Sequence, residues 1–572
     1  MLSRLATSTL SRLALTVPRT PLSRSLISLS VRTSSTLPPS SHRNLSSASA
    51  APHYHDFPEP IGFEVVSPRP VESSNAFPSI LITGDEELIA KGSFAEAQKA
   101  FIDPDPQAVS SLSEGMEAAN VGIVAHFYMD VELQSVLQAV PNQKRVKISD
   151  SLVMGDAAVS MCRDGASAIC VLGVDFMSES VKAIMTKNGY GHIPVYRADE
   201  RKIGCSLAES AENLSYGAWL TKASQEKDTN PLHVIYINTS LETKALSTNI
   251  VPTVTCTSSN VLQTMLQSSL QIPELSIWYG PDTCMGYNLQ TMFEKVLKHW
   301  SDEEIKQKLH QEHDRKSIQK LLNNLHVYPS GNCVVHHMFG KECVETVQSQ
   351  YPDAFVSAHL EVPGEMFEIA MEASLDDKGV VGSTSDILNF ITKKVEEAAV
   401  EIQKTGQQVG GEKKNLQFIL GTEAGMVTSI VSNVKRVLAS NPAAKDFVTC
   451  EIIFPVASDA VMVDSESEFG ISPGVSGGEG CSTAGGCATC PFMKMNELDK
   501  VVDICQAIAD GKSESLTGLH PPKRLEGKFI NGRPAVEVGV DSILHMRHLM
   551  SEGKFSEDLV KEVVERSAAN AN

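Results

Sequence analysis

The sequence predicts an α/β protein built from three α/β/α sandwich units, each with a short parallel sheet, set in a pseudo-threefold arrangement. Three observations predict it. From about residue 118, apolar strand-like runs alternate with helical stretches, the pattern of parallel sheets covered by helices. The alternation restarts at HVIYIN and again at DAFVSAHLE. Each cycle also carries the same succession: an apolar run ending in two polar residues one position apart, a Ser/Thr cluster, then a cysteine. The first copy holds His126 and Tyr128, Ser151 and Cys205; the second Tyr236 and Asn238, Ser258 and Cys333; the third His359 and Glu361, Thr384 and Cys490. The gaps from first anchor to hydroxyl are 25, 22 and 25 residues. Three soft thiolates from three similar units point to a metal site at their common centre.

Residues 1–50 hold six arginines and no Asp or Glu. Being Arg-rich, Ser-rich and acid-free, with an amphipathic LSRLATSTLSRLAL start, they read as a transit peptide. Arg43 before Asn44-Leu45 and Ser46-Ser47 resembles a mitochondrial processing site, so the mitochondrial matrix is the expected address. A plastid is the alternative, because the two kinds of leader share this composition. Residues 51–117 form a mixed lead-in, in which ITGDEELIAKGSFAEAQKAF contains an amphipathic helix.

The first unit, 118–231, opens with the strand VGIVAHFY, followed by the helix DVELQSVLQAV, the strand ASAICVLGV and the helix SESVKAIMTK. The second unit spans 232–352 and the third 353–505. In parallel sheets the carboxyl ends of the strands form the binding crevice, and His126, Tyr236 and His359 sit at such ends. Residues 301–323 and 394–416 read as charged, solvated helical insertions. Residues 463–487 read as a Gly/Ser-rich loop. The extension 506–572 reads as a Pro/Gly-rich hairpin and a charged final helix, FSEDLVKEVVERS.

Composition narrows the function. The chain has 572 residues and a net charge of -20. Without the leader's six arginines, 43 basic residues face 69 acidic ones. Such a body argues against nucleic-acid binding, which needs basic patches. No apolar run reaches 18 residues, so no membrane-spanning helix is expected. The twelve cysteines are too dispersed for a small disulfide scaffold; most are expected to be free thiols, with a few as metal ligands. CSTAGGCATCPFMKMN is the most distinctive string. Its C-x-x-C spacing permits a zinc half-site or a redox pair, but the chain offers no second zinc half. Strand-end histidines and Ser/Thr clusters are ordinarily structural residues and helix caps; their recurrence in matching order favours a site.

Across about residues 118–505 the chain resembles the quinolinate synthases, the A protein of the de novo NAD pathway. The resemblance rests on AHFYMD, SDSL, GVDFMSES, GCSLAES, YINTSLETKAL, CTSSN, PDTCMGY, GNCVVHH, HLE, VGSTS, GTEAG and CPFMKMN, in family order. It implies one [4Fe-4S] cluster with three cysteine ligands, Cys205, Cys333 and Cys490, and one open iron that acts as a Lewis acid. It implies condensation of iminoaspartate with dihydroxyacetone phosphate to quinolinate, with loss of phosphate and two waters. The substrate-contacting set it implies is His126, Ser151, Tyr236, Ile237, Asn238, Ser258, His359, Leu360, Glu361 and Thr384. Within it Glu361 is the expected general base. Tyr128 and Tyr236 are acid/base or oxyanion partners, and His126 and His359 hold carboxylate or phosphate.

The chain departs from the family pattern at Ser149, Leu360, Val362 and His337, which replaces the usual Glu beside the GNCVVH string. Cys481 and Cys487 are candidates for a regulatory disulfide or for two idle thiols. Expected partners are the two small substrates, the enzyme that supplies iminoaspartate, and the organelle's iron–sulfur assembly machinery. Some plant relatives carry an extra sulfur-mobilising domain, for which residues 51–115 are too short. The rival readings are another [4Fe-4S] dehydratase and a non-catalytic iron–sulfur or thiol sensor.

Overall fold

A computed structural model describes residues 76–85, 87–405, 413–456 and 489–571. The leader, the Gly/Ser-rich stretch 463–487, and Cys481 and Cys487 lie outside the described residues. The lead-in begins with a hairpin, β1 (Ser79–Ile82) and β2 (Leu88–Lys91), before the helix Ser93–Ala100. The amphipathic helix expected in this stretch is therefore confined to SFAEAQKA, and the preceding apolar residues alternate as strands instead.

β3 (Val121–His126), β4 (Val146–Ser149), β5 (Ala168–Leu172) and β6 (Val195–Arg197) form a parallel sheet in the order β4-β3-β5-β6. β7 (Asn230–Tyr236), β8 (Thr253–Cys256), β9 (Leu275–Gly280) and β10 (Leu325–Val327) form a second, ordered β8-β7-β9-β10. β11 (Phe355–His359), β12 (Gly379–Gly382), β13 (Lys414–Gly421) and β14 (Val448–Ile453) form a third, ordered β12-β11-β13-β14 and again parallel. Counting strands within each sheet, all three share the order second, first, third, fourth. The hairpin extends the third sheet alone: β1 pairs antiparallel with β14, placing Ile80 opposite Ile452. Ser79 Oγ, Lys91 Nζ, Asn415 Nδ2 and Gln417 Nε2 all donate to the buried Glu451 carboxylate at that seam.

Buried residues run the whole length of β3, β5, β9 and β14. That is the burial expected of a parallel sheet covered on both faces. Two of the covering segments correct the sequence reading. Residues 394–405 continue the helix Thr384–Thr405 and bury Val395, Ala398, Ala399 and Ile402, so they pack in the core of the third sheet. Residues 301–323 form the helices Asp302–Lys308 and Arg315–Asn323, whose Ile305, Ile318 and Leu321 are buried, as is His313 between them.

The C-terminal extension has the expected hairpin, β15 (Phe529–Ile530) and β16 (Arg533–Pro534), turned by Asn531 and Gly532. Both turn residues have positive φ, 49° and 77°, the conformation a two-residue hairpin turn of this type requires. A helix the sequence reading did not separate, Ala535–Glu552, packs on the helix Leu241–Ile250 and on β8. Among the described residues no helix is long and apolar enough to cross a membrane.

Candidate active site and metal centre

The shared strand order sorts the recurring residues by position. In each sheet the first strand ends at the polar pair: His126 closing β3, Tyr236 closing β7, His359 closing β11. The second strand leads to the hydroxyl: Ser151 after β4, Ser258 after β8, Thr384 after β12. The fourth strand leads to the cysteine: Cys205 after β6, Cys333 after β10, Cys490 after β14. All nine line one cavity, as do Tyr128, Ile237, Asn238 and Glu361. Leu360 alone among the expected site residues is not on its wall. It is 1 % exposed, and its carbonyl accepts from Asn288 Nδ2 at 2.9 Å.

The two strand-end histidines share one local geometry. The backbone N–H of Tyr128 donates to His126 Nδ1 at 3.2 Å, and that of Glu361 donates to His359 Nδ1 at 3.3 Å. Nδ1 is therefore the acceptor in both rings, which places the proton of the neutral imidazole on Nε2. Among the described residues, the buried His359 Nε2 has no hydrogen-bond partner. Burial lowers His126 to about 4 and His359 to about 3, against the opposing pull of the Glu361 carboxylate. Both are neutral donors at neutral pH.

Glu361 is the charge centre. Tyr236 OH donates to its Oε1 at 2.5 Å, and His336 Nδ1 lies 3.2 Å from its Oε2. Burial would raise this carboxyl, but His336, His359 and the Tyr236 hydroxyl outweigh it and hold it well below the carboxylate range. Asn288 Nδ2 donates to the carbonyls on either side of Glu361, those of Leu360 and Val362. Burial, then the charge of Glu361, raises the Tyr128 and Tyr236 phenols. Tyr128 OH meets Thr384 Oγ1 at 3.1 Å.

The helix caps beside Ser151 and Thr384 fall to their neighbours. Asp150 caps the helix Ser151–Arg163, accepting from the N–H groups of Leu152 and Val153. Ser383 and Asp386 bond reciprocally at the start of the helix Thr384–Thr405. Helix N-termini thus open toward the cavity beside Ser151 and Thr384, and such ends favour anionic groups.

The three thiols have matching surroundings. Cys205 faces the backbone N–H groups of Leu207 and Ala208, Cys333 those of Val335 and His336, Cys490 those of Phe492 and Met493. Each sulfur therefore meets the N–H groups two and three residues on, at the start of a short helical turn. Burial raises all three thiols, Cys205 to about 12, so a thiolate here needs a compensating positive charge. Half-buried soft donors, backbone N–H groups aimed at sulfur and a demand for cationic charge fit a bound iron–sulfur group. A tighter set also exists. The ligand atoms of Cys333, His336 and Glu361 lie within 4.8 Å of one another.

Several contributors were missed in the sequence. His336 is fully buried, bonds Glu361 and stacks on His359 with ring centroids 4.7 Å apart. Thr422 Oγ1 lies 3.3 Å from His336 Nε2 and 3.5 Å from Tyr128 OH. Glu423 lines the cavity. The signals were present in GNCVVHH, where roles fell only on Cys333 and His337, and in GTEAG, which carried no assigned role. Among the departures, Ser149 is buried and its carbonyl accepts the Phe127 N–H at 3.1 Å. His337 is exposed, with Nδ1 3.2 Å from the Cys333 carbonyl, so its imidazole does not line the cavity.

Residues 110–463 match the family model described as "Quinolinate synthetase A protein". The chain is 45 % identical over 502 residues to a protein of Nicotiana tabacum named "Quinolinate synthase, chloroplastic", covering 86 % of this chain and 67 % of the relative. An Arabidopsis thaliana protein of the same name is 45 % identical over 505 residues, covering 86 % and 68 %. A "Quinolinate synthase" of Saccharolobus solfataricus is 26 % identical over 382 residues, covering 67 % of this chain and 84 % of the relative.

Proposed function

The chain belongs to the quinolinate synthase family, enzymes of NAD biosynthesis, and on that premise we propose how its residues divide the work. Iminoaspartate and dihydroxyacetone phosphate are the substrates, and quinolinate forms with loss of phosphate and two waters. Three α/β units, 118–231, 232–352 and 353–505, surround a pseudo-threefold axis, with the lead-in and the extension 506–572 outside them. The identical strand orders support that arrangement. Cys205, Cys333 and Cys490 hold one [4Fe-4S] cluster, whose iron without a fourth thiolate supplies Lewis-acid chemistry to the substrate.

The protein groups bind and move protons. Glu361, an anion in a buried site, takes protons from carbon beside a carbonyl. Tyr236 donates to that carboxylate and follows its protonation through the short hydrogen bond. His126 and His359, neutral and with Nε2 carrying the proton, hold carboxylate or phosphate oxygens as donors. Ser151, Ser258 and Thr384 add hydroxyl donors, Asn238 and the Ile237 peptide fix the second substrate edge, and Tyr128 serves as an oxyanion partner.

The single observation that carries this reading is the convergence of three matched cysteine turns and one charged carboxylate on the same cavity. The test is anaerobic assay of reconstituted protein with iminoaspartate and dihydroxyacetone phosphate. Quinolinate should form. Glu361→Gln should cut turnover by roughly 10²–10⁴ while keeping its iron. No quinolinate from the wild type, or full activity in the variant, sinks the assignment. A thiol sensor would be indifferent to that change. The Cys333–His336–Glu361 set favours a second reading, one metal ion per chain, which metal analysis separates from a cluster.

The relatives' names favour a plastid over the mitochondrial matrix read from the leader. A fluorescent fusion carrying residues 1–50 should enter plastids; import into mitochondria alone would restore the first expectation.

A further inference from the structure

The third strand of each parallel sheet, the one position given no role above, ends in a repeated triplet. It is glycine, one residue, then a buried acid: Gly173-Val174-Asp175 after β5, Gly280-Pro281-Asp282 at the end of β9, Gly421-Thr422-Glu423 at the end of β13. Each triplet is tied to a cysteine arm. The Asp175 N–H donates to the Ile203 carbonyl at 2.9 Å, two residues before Cys205. The Thr283 N–H, next to Asp282, donates to the Gly331 carbonyl at 2.8 Å, two residues before Cys333. Gly331 N–H returns a bond to Thr283 Oγ1 at 2.8 Å. In the third sheet the tie is made by the acid's side chain: the Cys490 N–H donates to Glu423 Oε1 at 2.5 Å.

The third arm needs such a tie most. Cys205 follows the end of β6, and Cys333 the end of β10, by fewer than ten residues; Cys490 follows β14 only after the long stretch 454–489. Closing a longer connection costs more conformational entropy. The Cys205 and Cys333 arms also hold each other. Ser206 Oγ donates to the Asn332 carbonyl at 3.0 Å and accepts from the Val334 N–H at 3.3 Å. The Cys490 arm is instead fixed behind by Asn496, which accepts the Gly173 N–H at 3.1 Å and donates to the Met493 carbonyl at 2.9 Å. In front it is fixed by Glu423, which is 1 % exposed.

We propose that Glu423 is a positioning residue that seats Cys490 for the iron–sulfur cluster, the side-chain version of an anchor that the third strand supplies to all three cysteine arms. The inference rests on the reading of Cys490 as a cluster ligand. It is tested on full-length, cluster-loaded protein challenged anaerobically with a ferrous-iron chelator and iodoacetamide. Iron release is followed optically, and alkylation of each cysteine by peptide mapping. Glu423→Met should release iron about tenfold faster, the scale of one lost buried hydrogen bond, with Cys490 alkylated ahead of Cys205 and Cys333. Glu423→Gln, whose amide oxygen accepts the same N–H, should stay within about threefold of wild type. Wild-type release rates in Glu423→Met, equal alkylation of all three cysteines, or Glu423→Gln as fast as Glu423→Met would overturn it. Should Glu423→Met fail to fold, Glu423→Asp, which keeps the carboxyl group but shortens the reach, must show the same selective exposure of Cys490. Wild-type protein that holds no iron and sulfide refutes the cluster reading itself; loaded wild type with indifferent variants refutes this anchor alone.

Discussion

At the scale of single residues, burial decides what each titratable group can do. Glu361 stays charged inside the protein because His336, His359 and Tyr236 surround it. Remove them and a buried carboxyl becomes neutral. Buried imidazoles show the opposite case. His233, away from the cavity, bonds Tyr216 OH at 2.8 Å and Thr253 Oγ1 at 3.2 Å, and burial lowers it to about 3. Its folded value lies below its unfolded value, so its contribution is complete above about pH 6.5 and is lost as pH falls toward 3. His233→Gln, which cannot titrate, should therefore cost most at pH 7. The gap to wild type should narrow by about 1.4 kcal/mol per pH unit between pH 6 and pH 4. Urea unfolding of both proteins across that range measures it; a constant gap would mean His233 does not titrate on unfolding.

At the scale of elements, the repeat was legible where chemistry and periodicity coincided. Strand runs ending in His126, Tyr236 and His359, the hydroxyls of Ser151, Ser258 and Thr384, and the three cysteines all stand in the sequence in order. The third-strand triplets were not legible as anchors, because Asp175, Asp282 and Glu423 sit in different local strings and their partners lie far along the chain. His336 was passed over because the adjacent His337 drew the comparison. The lead-in hairpin was hidden because β1 and β2 are only four residues each, too short for periodicity to separate from helix. Residues 394–405 were misread because their charges dominate the string, although Val395, Ala398, Ala399 and Ile402 form a buried helical stripe. Close packing between elements also has a sequence cost. A Cβ added at Gly539, in the helix Ala535–Glu552, would meet the Leu241 carbonyl oxygen at 2.5 Å. Gly539→Val should destabilise by roughly 1–3 kcal/mol. A thermal melt checks this, and an unchanged midpoint would show that the two helices part without cost.

At the scale of the whole molecule, the acidic body and the cavity differ in character. Beyond the leader 43 basic residues face 69 acidic ones, while the cavity presents neutral imidazole donors, hydroxyls, helix N-termini and three cysteine turns. The C-terminal extension packs its helix Ala535–Glu552 onto the second sheet's covering helix and bonds Ser542 Oγ to Thr255 Oγ1 at 2.9 Å. The central claim is that three fourth-strand cysteines, one from each sheet, jointly hold one iron–sulfur cluster. The most direct measurement is iron and acid-labile sulfide per chain in anaerobically prepared wild type and in Cys205→Ala, Cys333→Ala and Cys490→Ala. About four of each per chain in the wild type, lost in every variant, is the predicted result; one zinc or one iron per chain, or a cluster that survives replacement of any of the three, would contradict it.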